Sequence, residues 1–129
     1  LITLQGAWSA NPVRRGYTLQ NGVISAVASQ VAQDFGAAGS AGCTAYLFVR
    51  AIAGVSTGIT VQLQGATALA FGTPVTLGTW TNFTTVGCKV LTVASGTVHR
   101  YLRLNVTGLG GATSFTMCAV VCVPGVTEQ

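Results

Sequence analysis

The residues here that could do chemistry are few. There is one histidine, His99, one internal carboxylate, Asp34, a second acidic residue next to the end, Glu128, and four cysteines, Cys43, Cys88, Cys118 and Cys122. General acid–base catalysis needs positioned titratable groups, and with Asp34 as the only internal carboxylate a two-carboxylate glycosidase is excluded. A Ser-His-Asp set would have to combine His99 and Asp34 with one of seven serines, and no Gly-x-Ser-x-Gly elbow is present. Composition alone leaves a Cys–His nucleophile on His99 open. The glycine-rich stretch from Gly36 to Gly42 has no lysine and no credible helix after it, so it does not read as a phosphate loop. Cys118 and Cys122 lack a second close ligand pair, which argues against zinc. On an extended strand their Cα atoms would stand about 13 Å apart, beyond the roughly 7 Å that a disulfide tolerates. Pairing across a sheet with Cys43 or Cys88 stays open, beside the plainer reading of buried thiols acting as small hydrophobes. The expectation is a protein with no catalytic residue, no cofactor and no metal.

What the chain has instead is apolar and neutral material. Half its residues are hydrophobic and only 6% are charged, against about 25% in ordinary soluble domains. The length suits one domain with a real core, which excludes disorder. The longest wholly apolar run, Met117 to Val123, is seven residues, far short of the roughly 20 that a membrane-spanning helix needs. A folded monomer of 13.1 kDa should expose roughly 6,400 Å². Six basic and two acidic side chains must serve that whole surface. So sparse a surface points to permanent contacts, whose centres are depleted in charge. The net charge of +4 raises nucleic acid as a partner. However, no basic run exceeds Arg14-Arg15 and the Arg100/Arg103 pair, whereas nonspecific DNA binding wants a concentrated stripe. A mildly basic surface facing an acidic neighbour fits better; neither nucleic acid nor a membrane is expected.

The elements that would position these groups are strands. Turn formers recur at short intervals (Asn11-Pro12, Asn21-Gly22, Gly54, Gly58, Gly65, Gly72-Thr73-Pro74, Gly87, Gly96, Gly108 to Gly111), separated by runs rich in Val, Thr, Leu and Ile. That spacing predicts an all-β, antiparallel sandwich or barrel. Ile59, Val61 and Leu63 alternate with Thr60, Gln62 and Gln64, and Leu102, Leu104 and Val106 with Arg103, Asn105 and Thr107. Such a period of two marks half-buried strands. Thr44 to Ala53 and Phe115 to Val123 are apolar on both faces, which fits a central strand or one whose outer side is covered by an arm or a subunit. Val23 to Phe35 reads as a strand, although Val23, Val27, Val31 and Phe35 also suit a helical stripe. Residues 1–16, with Trp8 and Arg14-Arg15, read as an extended N-terminal arm ahead of a sandwich domain over 17–129. The opening on Leu1 reads as processing or trimming, and no segment resembles a signal peptide. Trp8, Tyr17 and Trp80 could form a sugar-stacking platform, but scattered aromatics in β proteins usually belong to the core. His99 reads as a surface or loop histidine.

Ala45 to Val123 resembles small β-sandwich virion proteins of tailed bacteriophages, among them capsid decoration (cement) proteins. The resemblance rests on Tyr46-Leu-Phe-Val-Arg-Ala-Ile, Gly58-Ile-Thr-Val-Gln-Leu-Gln-Gly, Arg100-Tyr-Leu-Arg-Leu-Asn-Val-Thr, and Gly-Gly-Ala-Thr-Ser-Phe-Thr before a closing apolar strand. It implies a jelly-roll-like sandwich of about eight strands in which the Arg-Tyr-Leu-Arg-Leu strand and the final strand form a long hairpin. It also implies a stabilising protein on the capsid exterior of the virion, often a trimer, with the major capsid protein as partner. Many relatives carry an Asp-rich turn where this chain has Ala66-Thr-Ala-Leu-Ala-Phe, so calcium binding there is not implied. Trp8, Arg14, Arg15, Arg100 and Arg103 are the residues expected at partner contacts. The alternative is a phage tail or fibre domain, or a carbohydrate-binding sandwich.

Overall fold

The computed structural model describes residues 16–35, 42–94 and 99–122. They form eight strands: β1 Tyr17–Ile24, β2 Gln33–Asp34, β3 Cys43–Ala53, β4 Ile59–Ala66, β5 Val75–Phe83, β6 Gly87–Val93, β7 Tyr101–Gly108 and β8 Ser114–Cys122. They lie in two four-stranded sheets, ordered β1-β8-β3-β6 and β2-β7-β4-β5. Every pairing is antiparallel, and β1 meets β8, β2 meets β7, β3 meets β6 and β4 meets β5. That nesting is an antiparallel ribbon wound once around itself, and the winding adds the β3–β8 and β4–β7 pairs. The result is a jelly roll, the double-sheet architecture built from two Greek keys. The sandwich expected from the spacing of turns is therefore observed. The arm read over residues 1–16 lies, apart from Gly16, outside the described residues.

The alternation in sequence becomes the core. Ile59, Val61 and Leu63 of β4 and Leu102, Leu104 and Val106 of β7 point inward and are almost wholly excluded from water. Facing them are Leu47 and Val49 of β3 and Phe115, Met117, Ala119 and Val121 of β8. Phe83 and Phe115, one from each sheet, meet edge to face with centroids 6.1 Å apart. Fully burying an aliphatic side chain of this size contributes about 1.5–3 kcal/mol, which is why the period of two holds throughout β7 and β8 and over the first halves of β3 and β4.

Three local expectations are corrected. Val23 to Phe35 is not one strand. It starts as the end of β1, crosses from one sheet to the other through a single bridge at Ser29, and ends as the two-residue β2. Val27 and Val31 face water, at 57% and 70% exposure. Their recurrence every four residues marks no buried stripe, because the segment is a crossover held to β7 by backbone bonds from Gln30 to Leu104 and from Val106 to Ala28. Nor do β7 and β8 form a hairpin. They lie in opposite sheets, and the chain between them is turned across by Gly110 and Gly111, both at positive φ. That turn is anchored where Thr57 donates to the Gly110 carbonyl and Thr113 to the Ala53 carbonyl. Finally, Asn21-Gly22 and Gly65 lie inside strands rather than between them. A Cβ on Gly65 would crowd the ring of His99, at 3.0 Å from Nδ1.

Candidate functional site

The sandwich offers two broad outer faces, and the residues on them differ in kind. On the face of β2-β7-β4-β5 the outward side chains are amides, hydroxyls and one arginine, and they bond to one another. The Arg103 Nε–H donates to Gln64 Oε1 at 3.0 Å, and Gln64 Nε2 donates to Gln62 Oε1 at 3.3 Å. Asn105 Nδ2 donates to the same Gln62 oxygen at 3.2 Å, while the Ser29 hydroxyl donates to Asn105 Oδ1 at 3.0 Å. Thr60 and Asn82 continue the ladder onto β5. The Arg103 guanidinium lies 4.2 Å from the centre of the Phe71 ring, which the loop after β4 folds beneath it. Gln64 is buried although it points outward, because its neighbours cover it. Next to this face Arg100 makes a two-pronged ion pair with Asp34, both bonds 2.8 Å long. That hydrogen bond, and then the carboxylate charge, raise the Arg100 pKa further above its already high value.

The outer face of β1-β8-β3-β6 is apolar. Register places Val90, Tyr46 and Val120 side by side across β6, β3 and β8, with Cys88, Phe48 and Cys118 in the next row. The Tyr46 and Phe48 rings stack along β3, 6.3 Å between centroids and 19° between planes. Phe48 and Val90 remain 41% and 57% exposed. Threonines ring these rows: Thr18 beyond Val120, Thr44 and Thr92 at one end, Thr116 at the other. Arg50 is the one ionised side chain on this face among the described residues, and its Nη2 donates to Asn21 Oδ1 at the rim, 3.0 Å away.

The residues singled out for chemistry fall as follows. Asp34 is engaged by Arg100. His99 lies over Gly65 with its Nδ1 buried and no hydrogen-bond partner among the described residues. Cys43 points into the core, where burial and then the nearby Cys122 push its thiol pKa up from 9.0 to about 11, away from nucleophilic use. The four cysteines are free thiols. Among the described residues no three His, Cys, Asp or Glu side chains gather as metal ligands would. Two shallow clefts, about 250 Å³ beside Trp80 and about 230 Å³ beside Ser29, fall below the roughly 300–1,000 Å³ of ligand pockets. Of the aromatic trio, Trp80 is buried with its indole N–H donating to the Lys89 carbonyl, and Tyr17 packs edge-on against Phe35.

Of the expected contact residues, Arg100 and Arg103 are already bonded within the domain; Trp8, Arg14 and Arg15 lie outside the described residues. Sequence reasoning overlooked Gln62, Gln64, Asn105 and Phe71 as a unit. The available signal was that β4 and β7 both place amides on the face opposite their aliphatic residues. The fold and its faces define a jelly-roll sandwich with one self-bonded polar face and one apolar face. No protein-family model, curated protein or solved structure matches the chain.

Proposed function

We propose that this chain is a non-catalytic structural protein of a tailed-phage virion, a decoration protein that seats on the outside of the head shell against the major capsid protein and stabilises it. The observation that carries the reading is the scarcity of ionised groups: six basic and two acidic residues serve an accessible surface of 7120 Å². A solitary domain relies on charge of both signs for colloidal repulsion, whereas a component tiled against neighbours does not. The resemblance of Ala45 to Val123 to phage virion sandwiches supports the same reading, as does a jelly-roll architecture common among viral capsid domains. The excess of basic over acidic residues suits an acidic shell exterior. The test is a copy count on the source particle by cryo-EM, with shells stripped of the protein and then reconstituted. Decoration requires copies at symmetric positions over the whole head, and a rise in the temperature at which reconstituted shells release DNA. A handful of copies at a single vertex would overturn the proposal and favour a tail or fibre component.

A further inference from the structure

We infer that the apolar outer face of β1-β8-β3-β6 is a self-association surface, covered in solution by the same face of a second copy related by a two-fold axis. The inference stands apart from shell attachment and concerns the free protein.

Three observations carry it. First, the layout is that of an interface with an apolar centre and polar rim. The stacked Tyr46 and Phe48 rings lie in the middle, flanked by Val90, Val120, Cys88 and Cys118; threonines and the Arg50–Asn21 bond lie outside them. Second, the size suffices. Four strands about 4.8 Å apart make a face about 19 Å wide. The nine residues of β8, at about 3.3 Å each, make it about 30 Å long. The projected area is then roughly 570 Å² before side-chain relief, or about 1,100 Å² over two partners, below a standard interface but above the roughly 1,000 Å² total that a specific contact must clear. Third, the charge pattern selects the occupant. Among the described residues the face has a cation at one end and no anion, so it offers little to a strongly charged partner. A two-fold axis lying in the interface and perpendicular to the strands places the two Arg50 side chains at opposite ends, where they do not oppose each other, and lays β3 on β3, ring on ring, at the centre. Aligned sheets packed face to face cross at about 30°. Such a contact closes at two copies, unlike the trimer that the family resemblance implies.

Sedimentation velocity and native mass spectrometry of the full chain test this over a concentration series, with Phe48→Arg, Val90→Lys and Val55→Lys compared with wild type. Phe48 and Val90 are exposed enough for charge to be accommodated in the monomer, and far-ultraviolet circular dichroism checks that each variant folds. Val55, 86% exposed on the loop before β4, receives the same kind of change away from this face. The expected result is a wild-type monomer–dimer equilibrium, weakened at least ~10-fold by Phe48→Arg and measurably by Val90→Lys, and unchanged by Val55→Lys. A wild-type protein that stays monomeric at every concentration would overturn the inference, as it would if residues 1–15 of the same chain or the shell alone covered the face. A trimer, or a dimer indifferent to both face variants, would overturn it as well.

Discussion

The two outer faces are built on the same plan and finished in opposite ways. Each belongs to a four-stranded antiparallel sheet, and each has aliphatic residues on its inner side. On the β2-β7-β4-β5 face the polar groups satisfy one another, through Arg103, Gln64, Gln62, Asn105 and Ser29. On the β1-β8-β3-β6 face Tyr46, Phe48, Val90 and Val120 have no covering layer among the described residues. A bonded amide ladder is stable against water and asks nothing of a neighbour, whereas exposed rings and valines gain by being covered. The apolar face is therefore the one that gains by being covered, and the polar face acts as structural lining.

The largest effect should come from the core that both faces share. Leu63→Ala removes a fully buried side chain from β4 and should destabilise the domain by about 3–4 kcal/mol, with a cavity term adding to the lost transfer energy. Urea unfolding followed by tryptophan fluorescence measures it. A loss below ~1 kcal/mol would mean that the sandwich is not packed there as described.

The adjacent residue sharpens the contrast. Gln64→Ala should cost about 1–3 kcal/mol, because it removes the acceptor of the part-buried Arg103 guanidinium and one of the two donors to Gln62 Oε1. Gln64→Glu should recover part of the loss, since a carboxylate still accepts from Arg103. If Gln64→Ala proved neutral, the polar face would be a solvated surface and not a bonded lining.

How much of this was legible in the sequence follows from range. The inward sets on β4 and β7 were plain, because a period of two needs only neighbouring residues. Trp80 was correctly weighed as core, and the two-faced apolar character of β3 and β8 was visible, though not which neighbours would share their outer face. Sheet membership was not legible: β7 and β8 show the same alternation whether they pair or lie in opposite sheets, and only the ribbon's winding decides. The crossover after β1 was misread because Val27 and Val31 imitate a buried repeat while facing water. Gln62 and Gln64 were legible as outward residues, but the bonds from Arg103 to Gln64 and from Asn105 to Gln62 depend on a β4–β7 register that joins residues 39 and 43 apart in sequence.

A pH experiment bears on the shared interior from another side. Cys43 has a thiol pKa raised by burial from 9.0 to about 11, so the folded chain holds that proton where the unfolded chain has lost it. Stability from this source is complete below about pH 9 and falls as pH rises toward 11, because the native state then binds more protons than the unfolded one. The rise from 9.0 to about 11 sets an upper bound of about 2–3 kcal/mol. Cys43→Ala should flatten the decline between these limits when its urea midpoint is followed against wild type. An unchanged slope would show that other groups titrate instead.

The smallest effect is expected where the comparison is most exposed to failure. Leu47 and Phe48 are successive residues of β3, one fully buried and the other 41% exposed. In dilute solution, where the chain is a monomer, Phe48→Ala should cost only about 0.5–1 kcal/mol, mainly the ring stack with Tyr46. Leu47→Ala, one position earlier, should approach the loss seen at Leu63. The contrast should narrow at high concentration, because self-association adds stability that only the wild-type ring supplies. Thermal melts of wild type and Phe48→Ala at two concentrations a hundredfold apart would read this directly: the wild-type midpoint should rise with concentration, and that of the variant should rise less. Parallel shifts in both proteins would place the stabilising contact elsewhere on the molecule and leave the apolar face without an energetic role.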